Sequence, residues 1–165
     1  MLNEILAKIN AREKLIGIGA IVFVVGWLVG LILASVSYGS GVYSYSVNVW
    51  NESGGTGLGL LGVLAAIAAL VVIYLKYAPN MKITWPAPIP VILLGIAGVA
   101  ALVALYLLWN NFSNSQDWGK VTGLGVTGFP SWPITDWIAV AGVVVGAGIM
   151  LWGAYQEWTL SKTAV

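Results

Sequence analysis

Apolar residues run almost unbroken over four stretches: Leu15–Val36, about Leu58–Tyr77, Ile89–Trp109 and Ile134–Tyr155. A helix crosses the hydrocarbon layer of a bilayer with about 20 such residues. The charges inside these runs are Lys76, at the end of the second, and Asp136, at the start of the fourth. Backbone groups in lipid need partners within the chain, which favours helices. Transmembrane β-strands would be shorter and would alternate. The pattern predicts an all-α membrane protein, a four-transmembrane-helix bundle forming one domain over residues 1–165. Its expected parts are an interfacial helix 1–14, spans 15–36, 58–77, 89–109 and 134–158, outer loops 37–57 and 110–133, and a turn 78–88. Lys8, Arg12 and Lys14 resemble the n-region of a signal peptide. The apolar run after them exceeds the usual h-region of about 7–15 residues, so it reads as a span.

The segments between the runs have patterns of their own. In 2–14, Leu2, Ile5, Leu6 and Ile9 share one helical face, and Glu4, Lys8 and Arg12 the other. This predicts an amphipathic helix on the membrane surface, or a plain extension of the first span. Residues 42–50 alternate, with Tyr43, Tyr45, Val47 and Val49 on one side and Ser44, Ser46 and Asn48 on the other, as a strand does. KVTGLGVTGF, 120–129, is β-branched and glycine-rich. Together they predict a small extracytoplasmic β-hairpin or loop cap. Pro79, Pro86, Pro88 and Pro90 end the second helix and keep the chain extended before the third.

Charge orients the bundle. Of the seven Lys and Arg residues, Lys8, Arg12, Lys14, Lys76, Lys82 and Lys162 fall on one side and Lys120 on the other. The positive-inside rule then places both termini in the cytoplasm of a multi-pass protein of the cell membrane. Most tryptophans, including Trp50, Trp85, Trp109, Trp132, Trp137 and Trp158, stand near span ends, as an aromatic belt requires. Charged residues are only 8% of the chain, against about 25% in soluble domains. Cysteine and histidine are absent, so thiolate or imidazole chemistry is excluded, and no cofactor or metal is expected. A net charge of +1 offers no stripe for nucleic acid.

Small residues recur at helical spacing. Gly26 and Gly30 continue to Ala34, and Gly142 pairs with Gly146. Ala65, Ala66 and Ala69 with Gly62, and Ala97, Ala100, Ala101 and Ala104, do the same in spans two and three. Such spacing lets helix backbones approach closely, within one bundle or against another subunit. Gly57, Gly59 and Gly62 match G-x-G-x-x-G but open a membrane helix, not a βαβ unit, so dinucleotide binding does not follow. Glu52 and Asp117 could hold a calcium ion, although nothing fixes their spacing. Asn51-Glu52-Ser53 and Asn111-Phe112-Ser113 are formal glycosylation sequons. Thr135 or Asp136, at the start of span four, reads as a helix cap and dipole partner.

A basic N-terminal stub, an outer loop ending in Trp50-Asn51, the glycine run GGTGLGLLG opening span two and the final GVVVGAGIMLWGAYQEW give a characteristic layout. This layout resembles a set of small four-span membrane proteins of bacteria. The resemblance implies an architecture and no activity. Four helices beneath an outer β-layer are also similar to claudins in architecture, but claudins carry two loop cysteines that this chain lacks.

No catalytic constellation stands out, and no carboxylate lies mid-membrane, where it would mark an ion path. The sequence therefore points to a non-catalytic structural, scaffold or accessory subunit of a membrane assembly, self-associating or joined to other membrane subunits. In that reading Gly26, Gly30, Gly142 and Gly146 are helix-contact positions. Tyr43, Tyr45, Trp50, Trp118 and Trp132 form an exposed recognition surface, since Tyr and Trp dominate binding hot spots. The alternative is an oligomeric channel or carrier for a small apolar or lipid-like molecule, with Ser35, Tyr74 and Tyr106 as the few polar groups in the spans.

Overall fold

The structure, a computed structural model, describes residues 7–40, 43–52, 54–78, 83–121 and 134–163. Side chains of residues 35–47, 49, 52 and 114–121 also lie outside the description. Helix α1 spans Ala11–Leu33. Strands β1, Ser35–Ser40, and β2, Tyr43–Asn48, follow it, then a one-turn helix α2, Val49–Glu52. Helices α3, Leu58–Tyr77, α4, Ile89–Val121, and α5, Ile134–Thr163, complete the order. Four helices are long and apolar enough to cross a membrane. The chain has the make-up of an integral, multi-pass membrane protein.

Each long helix packs antiparallel to its neighbours. The principal contacts join α1 to α3, α3 to α4, α4 to α5 and α5 back to α1, a closed ring in chain order. The tightest seam lies between α1 and α5, where glycines let the backbones touch. A Cβ placed on Gly26 would lie 2.8 Å from the Gly142 carbonyl carbon, and one on Gly19 would lie 2.6 Å from the Gly146 carbonyl oxygen. Phe23 stands between them on the same face of α1. Its ring fills the space left by Gly62 of α3, and its backbone lies against Gly146. The core around it is apolar and buried: Ile16, Ala66, Leu93, Leu107, Val143 and Met150 belong to it.

Several expected boundaries change. The helix expected over 1–14 is interrupted, because Asn10 is the N-cap of α1 and residues 11–14 are already its first turn. Asn10 Oδ1 accepts from the Arg12 and Glu13 backbone N–H groups, and Glu13 reaches back to the Asn10 N–H. This capping box starts a helix at a defined residue. Residues 110–121, expected as loop, continue α4. Hydropathy marks the apolar layer, whereas a helix stops only at a breaker or a cap, and NNFSNSQD contains neither glycine nor proline. Helix α4 is therefore about 50 Å long at 1.5 Å per residue, longer than a bilayer core. Helix α1 ends at Leu33 rather than 36, and α5 continues past 158 to Thr163.

The strands pair antiparallel, with Ser35 opposite Asn48 and Ser40 opposite Tyr43. The second element expected in a sheet, 120–129, lies outside the described residues from Thr122 onward.

The seam yields a direct expectation. Gly146→Leu drives a side chain into the α1 backbone and should destabilise the bundle by more than the usual overpacking cost of about 1–3 kcal/mol. Gly148→Leu, two residues on, faces open space and should be tolerated. Thermal unfolding in detergent followed by size-exclusion chromatography distinguishes the two.

Candidate functional site

Two clusters of polar and aromatic groups tie the helices together, one at each end of the bundle. The first gathers the start of α1, the end of α3 and the C-terminal part of α5. Glu13, 1% exposed, is its centre. Its carboxylate accepts from Lys76 Nζ at 2.5 Å, Tyr77 Oη at 2.6 Å and the Asn10 N–H at 3.1 Å. Glu157 of α5 lies beside it and accepts from Asn10 Nδ2 at 3.2 Å. Arg12 and Lys76 each stand 3.7 Å from Glu157. Two carboxylates thus meet two cations, and the cluster carries no net charge.

The placement follows from helix geometry. Glu13 sits in the first turn of α1, where the helix dipole favours an anion, and Lys76 in the last turn of α3, where it favours a cation. Antiparallel packing brings those two ends level. Asn10 joins the cap of α1 to α5, since its amide oxygen serves the helix start and its amide nitrogen serves Glu157. A buried charge is tolerated when it is paired and its remaining lone pairs are filled, and Glu13 meets both conditions.

The opposite end is organised around Trp50, which is fully buried. Its indole lies flat on Gly30 of α1 and against Gly55, and a Cβ at either glycine would collide with the ring. Gly55 N–H donates to the Trp50 carbonyl at 2.8 Å, and Trp27 Nε1 donates to the Gly55 carbonyl at 2.7 Å. Gly54 makes the turn at φ +82°, a conformation that glycine adopts without strain. Asn48 closes the arrangement: its Nδ2 donates to the Leu31 carbonyl at 2.8 Å, and its Oδ1 accepts from the Trp50 and Asn51 N–H groups. Thr135 Oγ1 donates to the Leu33 carbonyl at 3.2 Å. The carbonyls left over at the end of α1 thus hold the loop and the start of α5. Asn111 of α4 and Asp136 in the first turn of α5 are also buried, and both have partners.

The sequence-derived residues separate accordingly. Gly26, Gly142 and Gly146 meet one another or Phe23 across the α1–α5 seam, inside one chain. Gly30 faces Trp50 instead. Trp50, expected on an exposed recognition surface, is buried, because two glycines open a socket for it. The side chains of Tyr43, Tyr45 and Trp118, and all of Trp132, lie outside the described residues, as do the side chains of Glu52 and Asp117. Of the two sequon asparagines, Asn51 is exposed and Asn111 is buried. Sequence reasoning missed Glu13, Lys76 and Glu157 as a unit. The signal was an acid opening one span and a base closing the next, on the same side of the membrane.

Among the described residues, no group of three or more His, Cys, Asp or Glu side chains is placed to hold a metal ion. No protein-family model, curated protein or solved structure matches the chain significantly.

Removing one charge of the inner pair should cost more than removing both. Glu13→Leu leaves Lys76 with only the longer contact to Glu157 and should lower stability by about 3 kcal/mol, the low end for a broken buried pair because Lys76 keeps that contact and is partly exposed. Glu13→Leu with Lys76→Leu should recover much of that loss in the same thermal assay. Trp50→Ala empties the socket at the other end and should cost about 3–5 kcal/mol. Limited proteolysis between Asn48 and Leu58 should then accelerate.

Proposed function

We propose that this protein is a non-catalytic structural, scaffold or accessory subunit of an assembly in the cell membrane. Both termini and the Glu13–Lys76–Glu157 cluster then face the cytoplasm, because six of the seven Lys and Arg residues lie on that side. The β1–β2 pair and the Trp50 socket lie on the outer side, where they cap the bundle.

The observation that carries this reading is the filled interior. Phe23 occupies the centre against Gly62 and Gly146, and Met150, Val143 and Leu107 are buried with it. A pore or carrier path needs a polar or roomy passage, and Tyr74 and Tyr106 point outward instead, each more than 40% exposed. The polar clusters at the two ends are occupied in holding helices together. The outer surface is what remains for interaction. It includes Gly95 and Gly98 on α4 and Gly148 on α5, where nothing lies within 4 Å of an added Cβ. Small residues without a neighbour leave room for close approach of another helix.

Native mass spectrometry of the protein released from its source membrane tests this. A second copy or other membrane subunits should accompany the chain at defined stoichiometry. A lone chain in mild detergent, with no crosslinked partner in the intact membrane, would overturn the reading. Transport by the reconstituted protein in liposomes would do so as well.

A further inference from the structure

The outward face of α5 carries an aromatic ladder that the bundle does not use. Trp152, Tyr155, Trp158 and Lys162 follow at helical spacing along one side. The Trp152 and Tyr155 rings lie 6.3 Å apart, inclined at 27°, and the Tyr155 and Trp158 rings lie 6.0 Å apart. Lys162 Nζ stands 3.9 Å from the centre of the Trp158 ring. Trp152 and Tyr155 are about half exposed and Lys162 is exposed. The ladder begins within the apolar part of the helix and ends in a cation one turn beyond the ionic cluster.

Charge decides what fits this face. Arg12 and Lys76, at the same end of the bundle, are neutralised by Glu13 and Glu157. Lys162 has no carboxylate within ion-pair distance among the described residues. Among the described residues its charge stands over a ring face, a favourable position for an ammonium group. An apolar aromatic strip leading to an uncompensated cation complements an amphiphile with an anionic head. We propose that this face of α5 is a docking site for an anionic phospholipid, with the phosphate at Lys162 and an acyl chain along Trp158, Tyr155 and Trp152. Aromatic rings at the headgroup level provide the apolar contact, and the cation supplies the preference for the head. The inference rests on residence in a bilayer and not on the accessory-subunit reading.

Nanodiscs containing equal amounts of phosphatidylglycerol and phosphatidylcholine, followed by native mass spectrometry, provide the test. The wild-type chain should retain phosphatidylglycerol in preference to phosphatidylcholine. Lys162→Gln should reduce that preference about fivefold, the share of one Lys near an anionic surface. Trp158→Leu should shorten retention of both lipids, whereas Lys14→Gln, the same charge loss on α1, should leave the preference in place. Equal retention of the two lipids, an unchanged preference in Lys162→Gln, or a second copy of the chain covering this face would overturn the proposal. Because Lys162 is exposed and near the end of α5, its replacement leaves the fold intact, and unfolding temperatures of the variants verify this.

Discussion

The structure depends on backbone touching backbone between its first and last long helices. In lipid, apolar side chains gain little by leaving one greasy surface for another, so helices associate through close packing. Gly19 and Gly26 of α1 and Gly142 and Gly146 of α5 bring the two helices to the limit of approach. This contact closes the ring α1–α3–α4–α5 with segments that are far apart in sequence. It also sets the register: with Gly26 against Gly142, Arg12 comes level with Gly153, and Leu33 comes level with Thr135.

Both ends of the bundle inherit that register. At one end the helix starts and stops bring opposite charges together, and the capping residue Asn10 bridges two helices. At the other, leftover carbonyls of α1 are taken by Asn48 and Thr135, and Trp50 fits where Gly30 has no side chain. The ends differ because their chemistry differs. Compensated charges tolerate partial water, whereas a buried indole needs a dry, shaped socket. One end is therefore an ionic clasp and the other an aromatic plug. Each uses a side chain to satisfy main-chain groups that a helix terminus leaves open.

The consequence for function is a division between inside and outside. The groups with the means to carry chemistry, Glu13, Lys76 and Glu157, already satisfy one another. The glycines spaced to receive a partner helix, Gly26, Gly142 and Gly146, already receive one from the same chain. What faces lipid is aliphatic over most of the perimeter, with open glycines on α4 and α5 and an aromatic run on α5. An interacting role for such a protein is therefore a matter of its outer faces.

The four spans were legible from the sequence because bilayer thickness imposes one length and one composition on any helix that crosses it. Lys76 and Asp136, at the ends of apolar runs, were equally visible as terminal charges. Helix ends were less visible, since hydropathy does not register that Asn10 and Glu13 form a cap or that NNFSNSQD remains helical. What only the tertiary structure decided was partnership. Gly26 and Gly30 share one spacing motif, yet one meets the Gly142 backbone and the other the indole of Trp50, which follows β2. Trp50 looked like any interfacial tryptophan until Gly30 and Gly55 enclosed it. Glu13 and Lys76, 63 positions apart, became a pair only through antiparallel packing. Composition fixes which residues tolerate lipid, but which of them face each other depends on helix rotation and register, and those are set by contacts between distant parts of the chain.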